Sequence, residues 1–497
     1  MQFVIKDMDI STGGVQVVIL NSNDARKIGV HCLDRVIVSR GRRSTVAVLD
    51  VAESKKAVSQ GSIGVFEEVL LALHAKNGDV VNVAIAQKPD AVAAIRKKLD
   101  GVNLTFSETK AIVSAIVDDE LSEVELASYV TANYTNGLSN KEVLDLTLAM
   151  RDTGSILKFK QRPLVDLHCI GGVPGNRTTM IVVPILVAAG LAVPKTASRA
   201  ITSPAGTADT MEVLAPVSIP HEKLVKIMND VGGFIVWGGA INLAPADDKI
   251  IKVEHPLSID AEGQMLASIM AKKASVGATH LLMDIPVGIG AKTNSAGARH
   301  LNHKFVSLGK ALHIAVDVIQ TNGSEPIGNG IGPNLEARDC LQLLQEGISP
   351  TDLREKSLMM AGRLLEFTKN VKRGTGISTA KKILDSGDAY ETMRSIIRCQ
   401  GGKIFSPEQI RCAKYNCEIL AQTTGTVKSV FNTSIARASL LAGAPADQAA
   451  GMFLHAHKGT SVRKGDRLLT MYAESEQKLS FALEALKKNA PMAIKKG

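Results

Sequence analysis

The sequence predicts an α/β protein with additional domains. A β-rich domain (1–86) leads, a helical domain (88–160) follows, then come a large, mainly parallel α/β domain (165–421) and a small carboxy-terminal α+β domain (425–497). Three observations predict this. The 497 residues are too many for one hydrophobic core. The apolar pattern changes period along the chain, from short alternation to helical spacing and then to strands interleaved with helices. In the middle of the chain, glycine-rich loops follow strand-like runs, the place where open α/β sheets bind ligands.

The alternating runs Phe3-Ile5, Val15–Leu20, Val36–Ser39, Ser44–Val51 and Val81–Ile85 read as short strands, divided by Gly13-Gly14, Gly41, Gly61 and the turn Asn77-Gly78-Asp79. Helices take over at Asp90. Asp90–Leu99 is a basic amphipathic segment and Ser107–Val117 a second helix. The pairs Ser122/Glu125 and Ser139/Glu142 have the spacing of capping boxes, and Gly137 and Gly154 are placed to stop the helices they start. The α/β domain offers strands at Leu164–His168, Ala192–Lys195, Phe234–Trp237, His280–Ile285 and Ile314–Ile319, with an apolar helix through Val182–Ala189. Its segment Pro326–Pro333 is a glycine-rich turn that enters a helix, Leu335–Gln345, through Asn334. Strands and glycine turns return after Gly425; His455 and His457 alternate there without a third metal ligand nearby, so no metal is expected.

The stretch Val165–Leu214 carries the candidate site. Its first loop, Gly171-Gly172-Val173-Pro174-Gly175-Asn176, has glycines that let an anion approach the backbone. Its second, Ser198-Arg199-Ala200-Ile201-Thr202-Ser203, gathers with Thr207 four hydroxyls around one arginine, the donors that a phosphate or ribose requires. Either loop alone could be a tight turn; two at one sheet edge favour an anion site. Arg199 either meets a ligand phosphate or pairs with Asp209. Further on, a helix from about Ala261 places Ser268 and Lys272 one turn apart on one face, with Asp260 as a candidate N-cap. Lys292 closes the loop Val287-Gly288-Ile289-Gly290-Ala291-Lys292 after another strand.

A formal charge of +9 permits anionic partners, yet basic residues are spread out, with no run longer than Arg96-Lys97-Lys98, so most read as solvated surface. Aromatic residues at 3% leave little for base-stacking platforms, which favours small phosphorylated ligands over nucleic acid. The six cysteines show neither CxxC nor metal spacing and read as reduced thiols of a cytoplasmic protein. No signal-peptide or membrane-spanning pattern is present.

Val165-Asp166-x-His168-x-x-Gly171-Gly172-Val173, then Arg199 and Gly206-Thr207-x-Asp209-x-x-Glu212, resembles the signature region of the thymidine phosphorylase family, nucleoside phosphorylases related to anthranilate phosphoribosyltransferase. The departures are informative. Leu167 and Cys169 stand where the pyrimidine-specific members carry a lysine and a serine that help hold phosphate, and Ser203-Pro204-Ala205-Gly206-Thr207 replaces His-Thr-Gly-Gly-Thr. The SRAITSPAGTAD loop, the PIGNGIGP segment and the long amino-terminal extension are more similar to the family's archaeal AMP phosphorylase branch.

That resemblance implies phosphorolysis of AMP, and of CMP and UMP, to free base and ribose 1,5-bisphosphate, with inorganic phosphate as co-substrate and no cofactor. It implies Asp260 as proton donor to the leaving base. Gly172, Ser198, Arg199, Ala200, Ile201, Thr202, Ser203, Thr207, Ser268 and Lys292 are implied as substrate-binding residues, with His168 and Lys272 as further candidates. It also implies a helical domain that closes over the site and a homodimer or larger homo-oligomer. The rival readings are a pyrimidine nucleoside phosphorylase, a magnesium-dependent phosphoribosyltransferase, and a non-catalytic nucleotide-binding assembly protein.

Overall fold

The computed structural model describes the chain except Gln87, Lys88, Ile201, Thr202, Ser258, Asp260, Ile348 and Gly497, and the side chains of His255 and Leu257. It divides into two compact units, residues 1–149 with 246–264, and residues 150–245 with 265–497.

In the first unit six strands close into a barrel. Their order around it is Gln2–Asp7, Ser62–Val65, Val17–Asn21, Arg43–Ala52, Arg35–Arg40 and Val80–Ile85. Alternation explains the closure: Phe3, Ile5, Val18, Leu20, Val36, Val38, Ala47, Leu49, Ile63, Val65, Val81 and Val83 point into one apolar core, while their neighbours face out. Short helices at Ser22–Ile28 and Glu67–Leu73, which alternation does not signal, accompany the barrel.

The helices Asp90–Leu99, Phe106–Val117, Glu123–Asn136 and Asn140–Asp152 follow. Both anticipated capping boxes form: the Ser122 and Ser139 backbone N–H groups donate to Glu125 and Glu142, whose own N–H groups donate back to the serine hydroxyls. One basic residue departs from the solvated-surface reading. Lys98 is buried, its Nζ 2.7 Å from the Glu142 carboxylate, which also accepts the Leu104 N–H at 3.0 Å. The helix Pro245–Leu257 belongs largely to this unit; Lys249 caps the end of Phe106–Val117 by donating to the Ile116 and Val117 carbonyls at 2.9 and 2.8 Å.

The second unit is built on parallel strands. Ala315–Asn322, His280–Val287 and Val165–Cys169 form one sheet in that order, and Val193–Ala197 pairs with Gly233–Trp237 in another; the single parallel bridge Leu164 to Ala192 joins the two. All five strands fall within a few residues of their expected places. The helix Thr178–Ala188 is apolar on every side because it is buried on every side.

Two expectations need correction. The helix after the PIGNGIGP turn runs Pro333–Glu346 and starts from Gly332; Asn334 does not cap it but donates to the Arg411 carbonyl at 2.9 Å. The strand Tyr415–Leu420, expected within the α/β domain, pairs antiparallel with Arg467–Ala473. That four-stranded sheet also takes in Gly451–Leu454 and the short Gly330–Ile331 from the PIGNGIGP turn, and a three-stranded sheet with the helices Asn432–Ala442 and Glu476–Lys488 completes the carboxy-terminal region.

Candidate active site

The loops expected to carry the site leave the carboxyl ends of the parallel strands. Where Val165–Cys169 ends, Gly171 and Gly172 both take φ of +89°, a conformation that L side chains rarely adopt. At Gly172 space is tight as well: an added Cβ would lie 3.0 Å from Lys292 Cγ and 3.2 Å from its backbone nitrogen. The first loop and the Gly288–Lys292 loop are therefore adjoining surfaces, with the Lys292 side chain running along the two glycines.

His168, partly buried on the same strand, keeps its imidazole pKa well below the ordinary value, first through burial and then through the charges of Lys273, Lys195, Lys272 and Lys292. Behind it lies Asp166, fully buried, with Lys273 Nζ at 2.8 Å and Lys195 Nζ at 3.4 Å from its two oxygens. Lys195 also donates to the carbonyls of Leu167 and Thr196 at 2.9 and 2.7 Å. Its pKa is lowered to about 7, by burial foremost and by Lys273, with Asp166 opposing. Leu167, the residue that departs from the lysine of pyrimidine-specific relatives, thus receives a lysine on its carbonyl from the next strand. Cys169, the second departure, accepts from Gly171 N and Asn176 Nδ2 at 3.4 and 3.2 Å, and burial pushes its thiol up to about 12.

The second loop is organised by Asp209. One of its oxygens accepts the Ala200 and Gly206 N–H groups at 2.7 and 2.9 Å, drawing the loop closed. Gly206 permits this closure, since a Cβ there would sit 2.6 Å from Ala200 N and 2.7 Å from Ser198 O. Ser198 is exposed, Ser203 donates to the Ala205 carbonyl at 3.1 Å, and Thr207 begins the helix Thr207–Glu212. Of the two readings open for Arg199, the ion pair is the geometry found. Its guanidinium reaches both Glu212 oxygens at 2.5 and 2.8 Å and Asp209 at 3.1 Å, and lies 4.7 Å from the centre of the Trp237 ring. Glu212 foremost holds its pKa above the ordinary value. A cleft of about 670 Å³ opens beside this pair, lined in part by Ala200, Asn334, Gln448 and Glu474.

Known proteins resemble this chain over nearly its full length. Three family models match: a glycosyl transferase family helical bundle domain over residues 92–154, the a/b domain of the same family over 161–390, and a pyrimidine nucleoside phosphorylase C-terminal domain over 426–493. The AMP phosphorylase of Pyrococcus furiosus is 43% identical, with 99% of this chain and 98% of that protein covered. The AMP phosphorylase of Methanococcus vannielii is 41% identical over 98% and 96%, and a putative thymidine phosphorylase of Legionella pneumophila is 41% identical over 94% and 90%. The chain belongs to the AMP phosphorylase branch of the thymidine phosphorylase family. The anthranilate phosphoribosyltransferase of Thermus thermophilus, at 20% identity and a TM-score of 0.53, covers 62% of the chain and 99% of its own, and shares the fold.

Of the residues expected at the site, Gly172, Ser198 and Lys292 each follow the end of a parallel strand. Ser268 and Lys272 lie partly buried on the helix Glu262–Ser275, and Lys272 is near enough to His168 to lower its pKa. Ile201, Thr202 and Asp260 lie outside the described residues. Sequence reading passed over Lys195, Lys273 and Arg177. The first two had a signal: a lysine inside an apolar strand, and a second lysine beside Lys272 on the buried side of its helix. Among the described residues no group of three His, Cys, Asp or Glu side chains is placed to hold a metal ion, and His455 and His457 bond separately to Thr470 and Asn329, each at 2.8 Å. Nor is any described helix long and apolar enough to cross a membrane.

Proposed function

We propose that this protein catalyses phosphorolysis of AMP, and of CMP and UMP, releasing the free base and forming ribose 1,5-bisphosphate. The observation that carries the reading is the meeting of the Gly171-Gly172 loop with Lys292 at the carboxyl ends of two neighbouring parallel strands, where open backbone and a lysine suit an anion. The full-length likeness to proteins named AMP phosphorylase supports the same substrate.

Inorganic phosphate attacks the anomeric carbon as the glycosidic carbon–nitrogen bond breaks. Gly172, Ser198, Ala200, Ile201, Thr202, Ser203, Thr207 and Lys292 hold the two phosphate groups and the ribose, while Arg199, paired with Glu212 and Asp209, orders the second loop; Ser268 and Lys272 face the base. Asp260 protonates the departing base, and hydrogen phosphate, on becoming an ester dianion, gives up the proton that restores the acid. Phosphate is a co-substrate, and no cofactor enters the scheme. By the same family likeness, the enzyme works in the cytoplasm as a homodimer or larger homo-oligomer.

The test incubates the purified protein with AMP, CMP, adenosine and uridine, with and without phosphate and without added metal, and follows free base by chromatography. Phosphate-dependent release from the monophosphates alone is expected. Release from uridine alone would make it a pyrimidine nucleoside phosphorylase, and AMP binding without any release would leave a nucleotide-binding protein. Asp260→Asn is expected to lower kcat by roughly two orders of magnitude or more, the usual scale of a lost general acid, with little change in thermal midpoint.

A further inference from the structure

Arg177 is buried between three loops and belongs to none of the groups discussed so far. It precedes the helix Thr178–Ala188, and its guanidinium fans across the site's foundations. Nε donates to the buried carboxylate of Glu336 in the first turn of Pro333–Glu346. Nη1 donates to the Asn176 carbonyl at 3.0 Å and to the Thr207 hydroxyl at 3.3 Å, and Nη2 to the Ala205 carbonyl at 2.6 Å. Glu336 completes the clamp by accepting from Gly332 N at 3.1 Å and from the Thr210 hydroxyl at 3.3 Å. One ion pair thus ties the glycine loop, the Ser198–Thr207 loop and the PIGNGIGP turn together.

The chemical consequence lies in the direction of the Thr207 bond. A hydroxyl has one proton to give, and at Thr207 the oxygen is occupied as an acceptor by an N–H that cannot be anything but a donor. The hydroxyl proton is therefore left for an acceptor on the other side. We infer that Arg177 is a positioning residue that fixes Thr207 as a hydrogen-bond donor to a substrate phosphate oxygen, so that Arg177 governs anion affinity without touching the anion. This rests on the proposed assignment of the loop to phosphate-bearing substrates.

A double-mutant cycle tests it, with affinities for AMP and for inorganic phosphate measured by titration calorimetry. Calorimetry needs no turnover, so a failure of the phosphorolysis reading, seen as no base release by the unaltered protein, stays separate from a failure here. Thr207→Val removes the hydroxyl at constant shape. Arg177→Lys keeps a cation for Glu336 but cannot reach Thr207 and Ala205 together. Each single change is expected to raise the Kd of the same anion roughly tenfold, the scale of one lost charge-assisted hydrogen bond. In the Arg177→Lys background, Thr207→Val should then add less than about twofold, because the donor is already lost. Thr207→Ser should retain wild-type affinity. The inference is overturned if the two effects multiply independently, if Thr207→Val alters neither Kd, or if Arg177→Lys lowers only the thermal midpoint.

Discussion

The amino-terminal barrel and the parallel sheet of the site treat charge in opposite ways. None of the residues that the six barrel strands bury is charged, and their ionic side chains lie on the outside. Three of the five parallel strands each bury one: Asp166, Lys195 and Asp284, the last 2.7 Å from Lys356 Nζ and 2.6 Å from the Thr321 hydroxyl. Burying an ion costs several kcal/mol that only good pairing offsets. The barrel spends its interior on stability; the sheet keeps expensive charges close behind the glycine loops at its strand ends, and their arrangement sets the field there.

This contrast can be broken at several points. Asp166→Asn leaves Lys195 and Lys273 buried without a carboxylate and should cost about 3–5 kcal/mol. The single tryptophan, Trp237, lies at the end of a strand of this unit, so its fluorescence during urea unfolding reads the loss directly. A barrel variant of apolar type, Leu49→Ala, should cost about 3 kcal/mol through the cavity it leaves. It should accelerate hydrogen exchange in Arg35–Arg40 and Arg43–Ala52 while the Trp237 transition stays put.

A smaller effect separates the two regions by pH. Lys195 titrates at about 7 in the folded protein against the usual 10.5. Between those values the unfolded chain holds a proton that the folded chain has released, so the stability of the sheet unit should rise with pH above 7. Urea midpoints at pH 6.5 and 9 should differ in this sense, and Lys195→Met should shrink the difference. Smallest of all, Arg40→Ala removes a surface ion pair with Asp79 at 3.0 Å and should cost no more than about 1 kcal/mol; a larger loss would mean that the barrel too relies on charge.

Legibility in the sequence follows the same division. The barrel strands were visible because burial on one face imposes a period of two, and the strands of the sheet because apolar runs end in glycine loops. Gly172 and Lys292 could be nominated separately and by family likeness, but nothing local says that one packs on the other. Arg177 escaped because its partners are remote: Glu336 lies 159 positions away. Lys98 escaped because a basic run on a helix has one ordinary explanation, and only tertiary structure brings Glu142 to it. The helix start at Gly332 was misplaced to Asn334 because the buried Glu336 carboxylate, which accepts the Gly332 N–H, supplies the cap from within the helix.

The pairing of Gly330–Ile331 with Phe453 and Met452 sets a timetable for the newborn chain. The PIGNGIGP turn leaves the ribosome about 120 residues ahead of the strand that covers its edge, a wait on the order of ten seconds at ordinary elongation rates. During that interval the turn's backbone donors and acceptors are open to water or to a neighbouring nascent chain. A ribosome that stops short of Gly451 therefore leaves this strand edge unpaired, however completely the parallel sheet has folded.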